Sequence, residues 1–324
     1  MSIGEQGGTI ESPAAAPGRA SVTATAWTPR PPLNVARGGL TRASLDGRTY
    51  AIGGFTSGFA EELASVEVLD QTSERWELVA PMPTRLGNSG AAAARGEVYV
   101  VGGFIRGKTV DVVEVFDPAS GRWRTGRPLP GARGAPGTAA IGDRIYVIGG
   151  FDANDASTDV VEVYDARLDI WRRARPMPTR RGLLKVAELG GRLYAIGGVD
   201  DNGIFHDTVE RYDPAADTWR RVAPMSTGRG NPGVVAVGER IVAVGGGGRV
   251  RGRREALTTS EVYDPKADRW DVLEALLPVG RGSLSAAPDF LDTPPQRKSI
   301  IAFGGFEGTV ENPVASWRVE ALAV

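Results

Sequence analysis

The dipeptide Arg-Gly recurs along the chain about every 48 residues, and arginine binds carboxylates and phosphates through paired hydrogen bonds. The arginines of these pairs are Arg37, Arg133, Arg181, Arg229 and Arg281. The second copy has Leu86 at this position and Arg85 one residue earlier. In a radially repeated fold these side chains would converge on one axis. The pattern therefore predicts a cationic ring that binds an anionic ligand or an acidic peptide.

A repeated glutamate offers another explanation for the repeated arginine. Five copies carry glutamates at equivalent positions, namely Glu67, Glu114, Glu162, Glu210 and Glu261. An arginine and a glutamate that recur together can form a structural ion pair within each copy. The sequence leaves both roles open, a binding ring at the surface and an ion pair inside the scaffold.

Lys185 interrupts the repeat, because the equivalent residues of the other copies are small. Those residues are Thr41, Gly90, Gly137, Gly233 and Ser285. Neighbouring arginines and partial removal from water would lower the pKa of the lysine. Lys185 is therefore a candidate catalytic base or ligand anchor. The alternatives are a lysine solvated by water or a lysine paired with Glu188.

Further polar and basic residues belong to the same predicted site. The residues expected to form hydrogen bonds with a ligand beside Lys185 are Asn88, Asn231, Ser283 and Ser285. The fifth copy has an expanded loop that contains Arg249, Arg251, Arg253 and Arg254. This loop strengthens the expectation of an anionic ligand, although a polybasic loop can also be merely solvated.

The composition excludes several kinds of chemistry. The chain has no cysteine and a single histidine, His206, which rules out disulfides, thiolate ligands, cysteine nucleophiles and multi-histidine metal sites. His206 stands near Asp200, Asp201 and Asp207, but the spacing matches no metal-binding motif, and we expect a surface loop. We therefore expect neither a metal nor an organic cofactor.

The elements that would position these residues are short repeated strands. Glycine pairs that begin at residues 53, 102, 149, 197, 245 and 304 each follow an apolar run such as TYAIGG or IYVIGG. Such runs are typical of buried strands that end in a turn. A second strand such as VEVYD follows, with a final aspartate that can hydrogen-bond to the next turn, and a tryptophan then opens a further strand. Four strands in about 48 residues predict a β-propeller blade, repeated six times.

The glycine pair, the tyrosine before it, the Glu-x-Tyr-Asp strand and the tryptophan resemble the Kelch repeat family. The resemblance implies an all-β fold, a six-bladed β-propeller with four-stranded blades whose first strands line a central channel. It also implies function on the face formed by the loops between blades and after the glycine pairs. Some Kelch adaptor proteins bind acidic peptides with arginines of this face. Some bacterial Kelch propellers are sugar-acid epimerases or mutarotases.

The domain organisation follows from the same repeats. We expect residues 1–21 to be disordered, because they are rich in Gly, Ala, Pro and Ser, and residues 22–324 to form a single propeller. The predicted blades span about residues 37–80, 86–127, 134–175, 182–223, 230–274 and 282–324. The last blade lacks a fourth strand, with Trp317 assigned to its third. Residues 22–29 are predicted to complete this blade and close the ring. The insertion at 289–299 is expected on the opposite face.

Charge and hydropathy indicate which partners and which cellular location to expect. The 38 basic and 39 acidic residues nearly balance, so no overall field favours nucleic acid or a membrane surface. The first residues lack the features of a secretory signal, and no apolar stretch reaches the roughly 20 residues needed to cross a bilayer. We expect a cytoplasmic, monomeric, standalone propeller of the bacterial type.

Two functions are compatible with these residues. The first is a binding module that receives an anionic small molecule or an acidic peptide at the arginine-lined mouth of the channel, without turnover. The second is a cofactor-independent enzyme, such as an isomerase, mutarotase, epimerase or cyclase, that uses Lys185 for proton transfer and arginines to hold an anionic substrate. No glutamate or histidine is predicted to face the channel as a second proton-transfer group. The sequence therefore favours binding over catalysis.

Overall fold

The computed structural model describes residues 26–70, 74–250, 252–289, 299–308 and 312–324. Within these residues six four-stranded antiparallel sheets follow one another along the chain. The first strand of each sheet contacts the first strands of its two neighbours, and the first and sixth sheets are also in contact. The sheets are therefore the blades of a closed six-bladed β-propeller, and the predicted all-β fold is confirmed.

The strands are short and recur in the same order in every blade. In blade order they are Thr41–Leu45, Arg48–Ile52, Val66–Leu69 and Trp76–Val79; Gly90–Ala94, Glu97–Val101, Val113–Asp117 and Arg122–Thr125; Gly137–Ile141, Arg144–Ile148, Val161–Asp165 and Ile170–Ala174; Lys185–Leu189, Arg192–Ile196, Val209–Asp213 and Thr218–Val222; Gly233–Val237, Arg240–Val244, Ser260–Asp264 and Arg269–Val272; and Ser285–Pro288, Ser299–Phe303, Val319–Ala323 and Thr28–Pro29.

The ring closes through a strand from the beginning of the chain. Thr28–Pro29 pairs with Val319–Ala323, with Thr28 opposite Ala321. This strand is the fourth of the sixth blade and covers the edge of Val319–Ala323 that would otherwise be unpaired. The predicted closure is thereby confirmed. The assignment of Trp317 to the third strand was wrong, because that strand begins two residues later and the Trp317 side chain is half exposed. Residues 1–25, which include the segment expected to be disordered, lie outside the described residues.

Three small hairpins and one short helix project from the loops after the glycine pairs. The hairpins are Phe104–Ile105 with Lys108–Thr109, Gly247–Val250 with Arg253–Ala256, and Phe306–Gly308 with Pro313–Ala315. The loop of the first blade contains the 3-10 helix Ser57–Phe59. These elements and the connections between blades share one face of the propeller, which we call the loop face.

The tryptophans of the second to fifth blades join each of these blades to the one before it, whereas the indole N–H groups of Trp27 and Trp76 have no partner among the described residues. Trp171 stands directly opposite Tyr164 in the sheet, with ring centroids 4.9 Å apart, and its indole N–H donates to the carbonyl of Arg127 in the preceding blade. Trp123, Trp219 and Trp270 make the equivalent bonds. Because a buried indole N–H needs an acceptor, this bond fixes the spacing of adjacent blades.

The aspartates at the ends of the third strands hold the turns that follow them, as predicted. Asp117, Asp165, Asp213 and Asp264 each accept a hydrogen bond from the backbone N–H two residues later. The turn after Asp70 lies outside the described residues.

The glycine pairs allow each blade to approach the next closely. Gly149 and Gly150 have φ angles of 60° and 98°, and the N–H of Gly150 donates to the carbonyl of Arg181 in the next blade at 3.0 Å. A Cβ atom on Gly149 would lie 2.6 Å from that carbonyl oxygen, so a side chain would force the blades apart.

The face opposite the loop face carries the turns between first and second strands. The prediction for the insertion at 289–299 concerns mainly residues 290–298, which lie outside the described residues. No helix found in the described parts of the chain has the length and apolar character to cross a membrane.

Candidate functional site

The repeated arginines lie inside the blades. Arg37, Arg181, Arg229 and Arg281 have no exposed surface, and Arg133 is 4% exposed. Each is ion-paired with a buried glutamate of its own blade: Arg37 with Glu67 at 2.7 Å, Arg133 with Glu162 at 3.2 Å, Arg181 with Glu210 at 2.7 Å, Arg229 with Glu261 at 2.8 Å, and Arg281 with Glu320. The expectation that these five guanidinium groups form a cationic ring at the channel mouth was wrong.

The buried arginines fasten the loops of each blade. Arg37 Nη1 donates to the carbonyls of Gly53 and Ser65 at 3.0 and 2.8 Å, and Arg229 makes the same bonds to Gly245 and Thr259. Burial lowers the pKa of Arg37, while the charge of Glu67 opposes this shift. Arg37 and Arg229 use all three guanidinium nitrogens in such bonds, whereas Nε of Arg133, Arg181 and Arg281 is buried without a partner among the described residues. Because the five side chains are buried and ion-paired inside the blades, their role is structural.

Two departures from this ion pair are visible in the structure. The sixth blade uses Glu320, which was not predicted because the third strand of this blade lies two residues further along the chain than its repeat was expected to place it. The second blade has Leu86 instead of arginine, and Glu114 is buried without a cation. Thr84 Oγ1 donates to Glu114 Oε1 at 2.6 Å, while Glu114 Oε2 has no hydrogen-bond partner among the described residues.

Arg85 differs from the five buried arginines. Its side chain is 64% exposed on the loop face and lies 3.7 Å from Glu61. An exposed pair at this distance contributes little stability. Arg85 is therefore accessible on the loop face, but it does not belong to a ring of arginines.

A collar of six residues with left-handed backbone narrows the channel at the loop face. The collar residues are Gly39, Asn88, Ala135, Leu183, Asn231 and Ser283, with φ between 45° and 62°. In five of them the N–H donates to the carbonyl of the collar residue in the preceding blade, at 2.6–3.0 Å. Asn231 Nδ2 also donates to Asn88 Oδ1 at 2.9 Å, which links blades 5 and 2 across the axis. These residues precede the first strands and do not belong to them, contrary to the prediction.

Below the collar the first strands enclose a cavity of about 360 Å³. Lys185 and Ser285 line it, whereas Asn231 and Ser283 border the other side of the collar, so the predicted site residues are divided between two compartments. Burial, assisted by the charge of Arg42, lowers the pKa of Lys185 from 10.5 to about 8. Arg42 lines the same cavity and was missed, because only alternate strand positions were expected there. The innermost strand of a blade turns its backbone edge to the axis, so side chains of both parities reach the channel.

A second cavity opens on the loop face because the residue after the glycine pair has no side chain in one blade. The residue after the glycine pair covers the Arg-Gly glycine of the next blade: Phe55 covers Gly87, Phe104 covers Gly134, Phe151 covers Gly182, Val199 covers Gly230, and Phe306 covers Gly38. In the fifth blade this residue is Gly247. A Cβ on Gly282 would therefore meet nothing closer than 3.6 Å.

The resulting pocket of about 230 Å³ lies between blades 5 and 6 above the collar. Phe59, Leu183, Val199, Phe205 and Phe306 form its apolar wall, with Arg254, Glu255 and Glu307 among its polar residues. The guanidinium carbon of Arg254 lies 5.8 Å from the centroid of the Phe205 ring. We call this cavity the blade 5/6 pocket. Sequence comparison of the six GG-x triplets would have indicated it, since Gly247 is the smallest residue at this position.

The arginine-rich loop of the fifth blade forms the hairpin Gly247–Val250 with Arg253–Ala256. Arg249 stands directly opposite Arg254, and both are exposed, as is Arg253. Arg251 lies outside the described residues. No carboxylate of the described residues forms an ion pair with Arg249, Arg253 or Arg254. Three arginines outnumber Glu255 in the described residues of this hairpin, so the hairpin carries a net positive charge beside the pocket.

No cluster of three or more potential metal ligands occurs in the described ranges. His206 Nε2 lies 3.4 Å from Asp200 Oδ2, and Asp200 Oδ1 accepts hydrogen bonds from the backbone of Asn202 and Ile204. The acidic loop of the fourth blade is thus organised by its own backbone.

The described residues form a six-bladed repeat propeller with one cavity in its channel and a second cavity on its loop face. The Kelch motif matches residues 36–83, 85–130, 132–178, 180–226 and 228–276, and the chain belongs to the Kelch repeat family. Propellers of this family are generally protein-binding modules.

Relatives and solved structures agree with this assignment. The chain is 39% identical over 79 residues to human Kelch-like protein 34, which covers 24% of the chain and 12% of that protein. It is 37% identical over 75 residues to the mouse influenza virus NS1A-binding protein homolog, over 23% of the chain and 11% of that protein. The chain thus matches only about a tenth of these relatives' length. The solved structure of YjhT aligns with a TM-score of 0.75 at 18% identity, over 89% of this chain and 95% of that one, and is similar in fold.

Proposed function

We propose that the protein is a Kelch binding module whose loop face receives an acidic segment of a partner protein. One aromatic or aliphatic side chain of the partner fills the blade 5/6 pocket. Acidic side chains next to it lie against the arginines of the fifth-blade hairpin. This proposal moves the acidic-ligand prediction from the buried blade arginines to Arg249, Arg253 and Arg254.

The observation that carries the proposal is the open space left by Gly247. Four other blades place a phenyl ring at this position and one places a valine side chain there. The blade 5/6 pocket has a volume of about 230 Å³, which is below the roughly 300–1,000 Å³ of small-molecule sites and suits a single large side chain. Interfaces are commonly anchored by one such side chain in a desolvated pocket.

Exposed apolar side chains surround the pocket. Phe59 is 48% exposed and lies against Phe306 with 4.4 Å between ring centroids, while Ile204 and Val314 are about half exposed on neighbouring loops. A cluster of exposed apolar residues beside a pocket is typical of a protein contact surface. Three of the matched relatives carry the name of a protein that binds a viral protein, which is in keeping with this role.

The enzyme alternative depends on Lys185 in the channel. Glu188 is the one carboxylate among the described residues that line that cavity, and its Oε1 accepts a hydrogen bond from the N–H of Gly191. Isomerisation by proton transfer needs one side chain that acts as an acid and one that acts as a base, both in contact with the substrate. Glu188 is poorly suited as the partner of Lys185, because it is exposed and holds a turn. Binding on the loop face is therefore the function that the geometry supports better.

Selection from a library of short random peptides displayed on phage tests the proposal. We expect enriched peptides to combine an aromatic or leucine residue with neighbouring Asp or Glu. Replacing both Arg249 and Arg253 by Glu should lower the affinity for a synthetic peptide of the consensus sequence at least about tenfold. Arg122→Glu, an exposed arginine on the opposite face, is the matched control and should leave the affinity unchanged. Enrichment of basic peptides, or equal affinity for the charge-reversed variant, would contradict the proposal.

A further inference from the structure

The channel cavity below the collar contains two cations. Lys185 comes from blade 4, and Arg42 comes from blade 1 on the opposite side of the ring. Both side chains lie deep within the molecule, yet each keeps part of its surface open to the cavity. The side chain of Arg42 crosses toward blade 5, where Nη2 donates to the carbonyl of Val234 at 3.2 Å.

These cations have few partners in the protein. Within the described residues, Lys185 Nζ forms no hydrogen bond and no ion pair. Arg42 forms no ion pair there, and its second hydrogen bond is a long one of 3.4 Å from Nη1 to Ser44 Oγ. Since a guanidinium group has five N–H donors, Arg42 keeps unused donors inside the cavity. Glu188 lies at the far rim and is held by Gly191.

Two hydroxyl groups of the cavity wall are also unsatisfied. Ser89 Oγ and Thr138 Oγ1 line the cavity and are buried without a hydrogen-bond partner in the described portion of the chain. Buried polar groups without partners are uncommon in folded proteins, because each costs free energy when it leaves water. Both oxygens are covered by surrounding atoms, so the polar groups that the cavity offers to a ligand are chiefly its two cations.

We propose that the channel cavity is a binding site for a small oxyanion, held between the ammonium group of Lys185 and the guanidinium group of Arg42. The ligand is a small molecule with a carboxylate or phosphate group. The cavity volume of about 360 Å³ lies at the lower end of the range for small-molecule sites. Carboxylate and phosphate oxygens match both the bidentate geometry of the guanidinium group and the point charge of the ammonium group.

The ligand reaches this site from the face opposite the loop face. The collar, with the Asn231–Asn88 hydrogen bond across the axis, separates the cavity from the blade 5/6 pocket. Ser44, Ala93, Ala140 and Glu188 line the other end of the cavity, next to the exposed turns between first and second strands. The oxyanion site is therefore independent of partner binding on the loop face.

The small number of lysines permits a direct test by nuclear magnetic resonance. The chain has four lysines, Lys108, Lys185, Lys266 and Lys298, so a protein labelled with ¹³C at lysine Cε gives four resonances that report protonation. Without ligand, Lys185 is expected to titrate near pH 8. Inorganic phosphate and acetate are titrated separately, at constant ionic strength. At least one should shift the Lys185 resonance saturably and raise its pKa by about one unit or more, because a bound anion stabilises the charged form. The anion that gives the stronger response shows whether the site prefers a phosphate or a carboxylate group.

Controls separate the site from general salt effects. Lys266 is exposed and paired with Glu239 at 2.7 Å, so its resonance should not follow the anion. Arg42→Met should weaken the response of Lys185 at least about tenfold, since one of the two cations is lost. Gly247→Phe fills only the loop-face pocket and should leave the response unchanged. A Lys185 resonance that ignores both anions, or that responds equally in Arg42→Met, would overturn the proposal.

Discussion

Replacing Glu67 by Gln tests whether the blade arginines belong to the scaffold. Glu67 accepts hydrogen bonds from Arg37 Nη2 at 2.7 Å, from the backbone N–H and side-chain Nδ2 of Asn34 at 2.6 and 2.9 Å, and from the N–H of Val35 at 3.1 Å. The substitution keeps the shape but leaves the charge of Arg37 buried without a counterion. Removing one member of a buried ion pair costs about 3–5 kcal/mol. Since Arg37 keeps its bonds to two carbonyls, we expect about 3 kcal/mol, at the lower end of that range.

Glu114 provides the matched control, because it is the same residue type at the same position of another blade. Leu86 replaces its arginine, and the described residues give Oε2 no partner. Glu114→Gln keeps the hydrogen bond from Thr84 Oγ1 and removes no ion pair. We therefore expect the free energy of unfolding to change by less than about 1 kcal/mol in either direction.

Urea unfolding followed by the fluorescence of the seven tryptophans measures both variants under one set of conditions. The expected result is a clear loss for Glu67→Gln and almost none for Glu114→Gln, with equal dependence on urea concentration. Equal losses in the two variants would refute the reasoning, because the cost would then arise from the position in the blade and not from the arginine.

Three further predictions concern the channel, the collar and the hairpin. Lys185→Met should raise the free energy of unfolding at pH 7 by about 3 kcal/mol. The unfolded chain holds the Lys185 proton more tightly than the folded protein, so the free energy of unfolding of the wild type should rise between pH 8 and 10.5. Above this window the stability advantage of the variant should vanish. Urea unfolding at a series of pH values measures both effects. Asn231→Ala removes the bond to Asn88 and should lower stability by about 1 kcal/mol in the same assay. The affinity of an acidic peptide should fall with added salt, and this slope should flatten when Arg249 and Arg254 become Gln, as measured by fluorescence anisotropy.

The architecture was predictable because each structural element occurs several times in phase. One glycine pair or one Trp-bearing strand is weak information, but their recurrence indicated six blades and the need for a closing strand. The register of the last blade was misjudged by two residues, since the segment from Gly304 to Glu320 is two residues longer than the segment from Gly53 to Glu67 in the first blade, on which it was aligned. Repetition thus predicts what is shared among blades and is least informative where one blade differs.

The candidate site was only partly predictable, because the repeated arginine serves the scaffold that the repeat encodes. The paired glutamates were visible in the sequence, but only the structure shows that the pairs are buried. Lys185 was found as a departure from its column. Arg42 and Gly247 are departures of the same kind, because the other blades have Ala, Thr or Val in place of Arg42 and Phe or Val in place of Gly247. The collar could not be foreseen, since its left-handed residues include alanine and leucine, which rarely adopt this conformation.

The most direct test of the account is the affinity of a selected acidic peptide for Gly247→Phe, measured by fluorescence anisotropy. This variant gives the fifth blade the phenyl ring that four other blades carry, and a Cβ at residue 247 meets no atom closer than 3.4 Å. Gly247→Ala, which leaves the pocket open, is the control. The account predicts at least about tenfold weaker binding to Gly247→Phe, with the affinity of Gly247→Ala and the melting temperatures of both variants close to wild type. Unchanged affinity for Gly247→Phe would contradict the claim that the blade 5/6 pocket receives the partner.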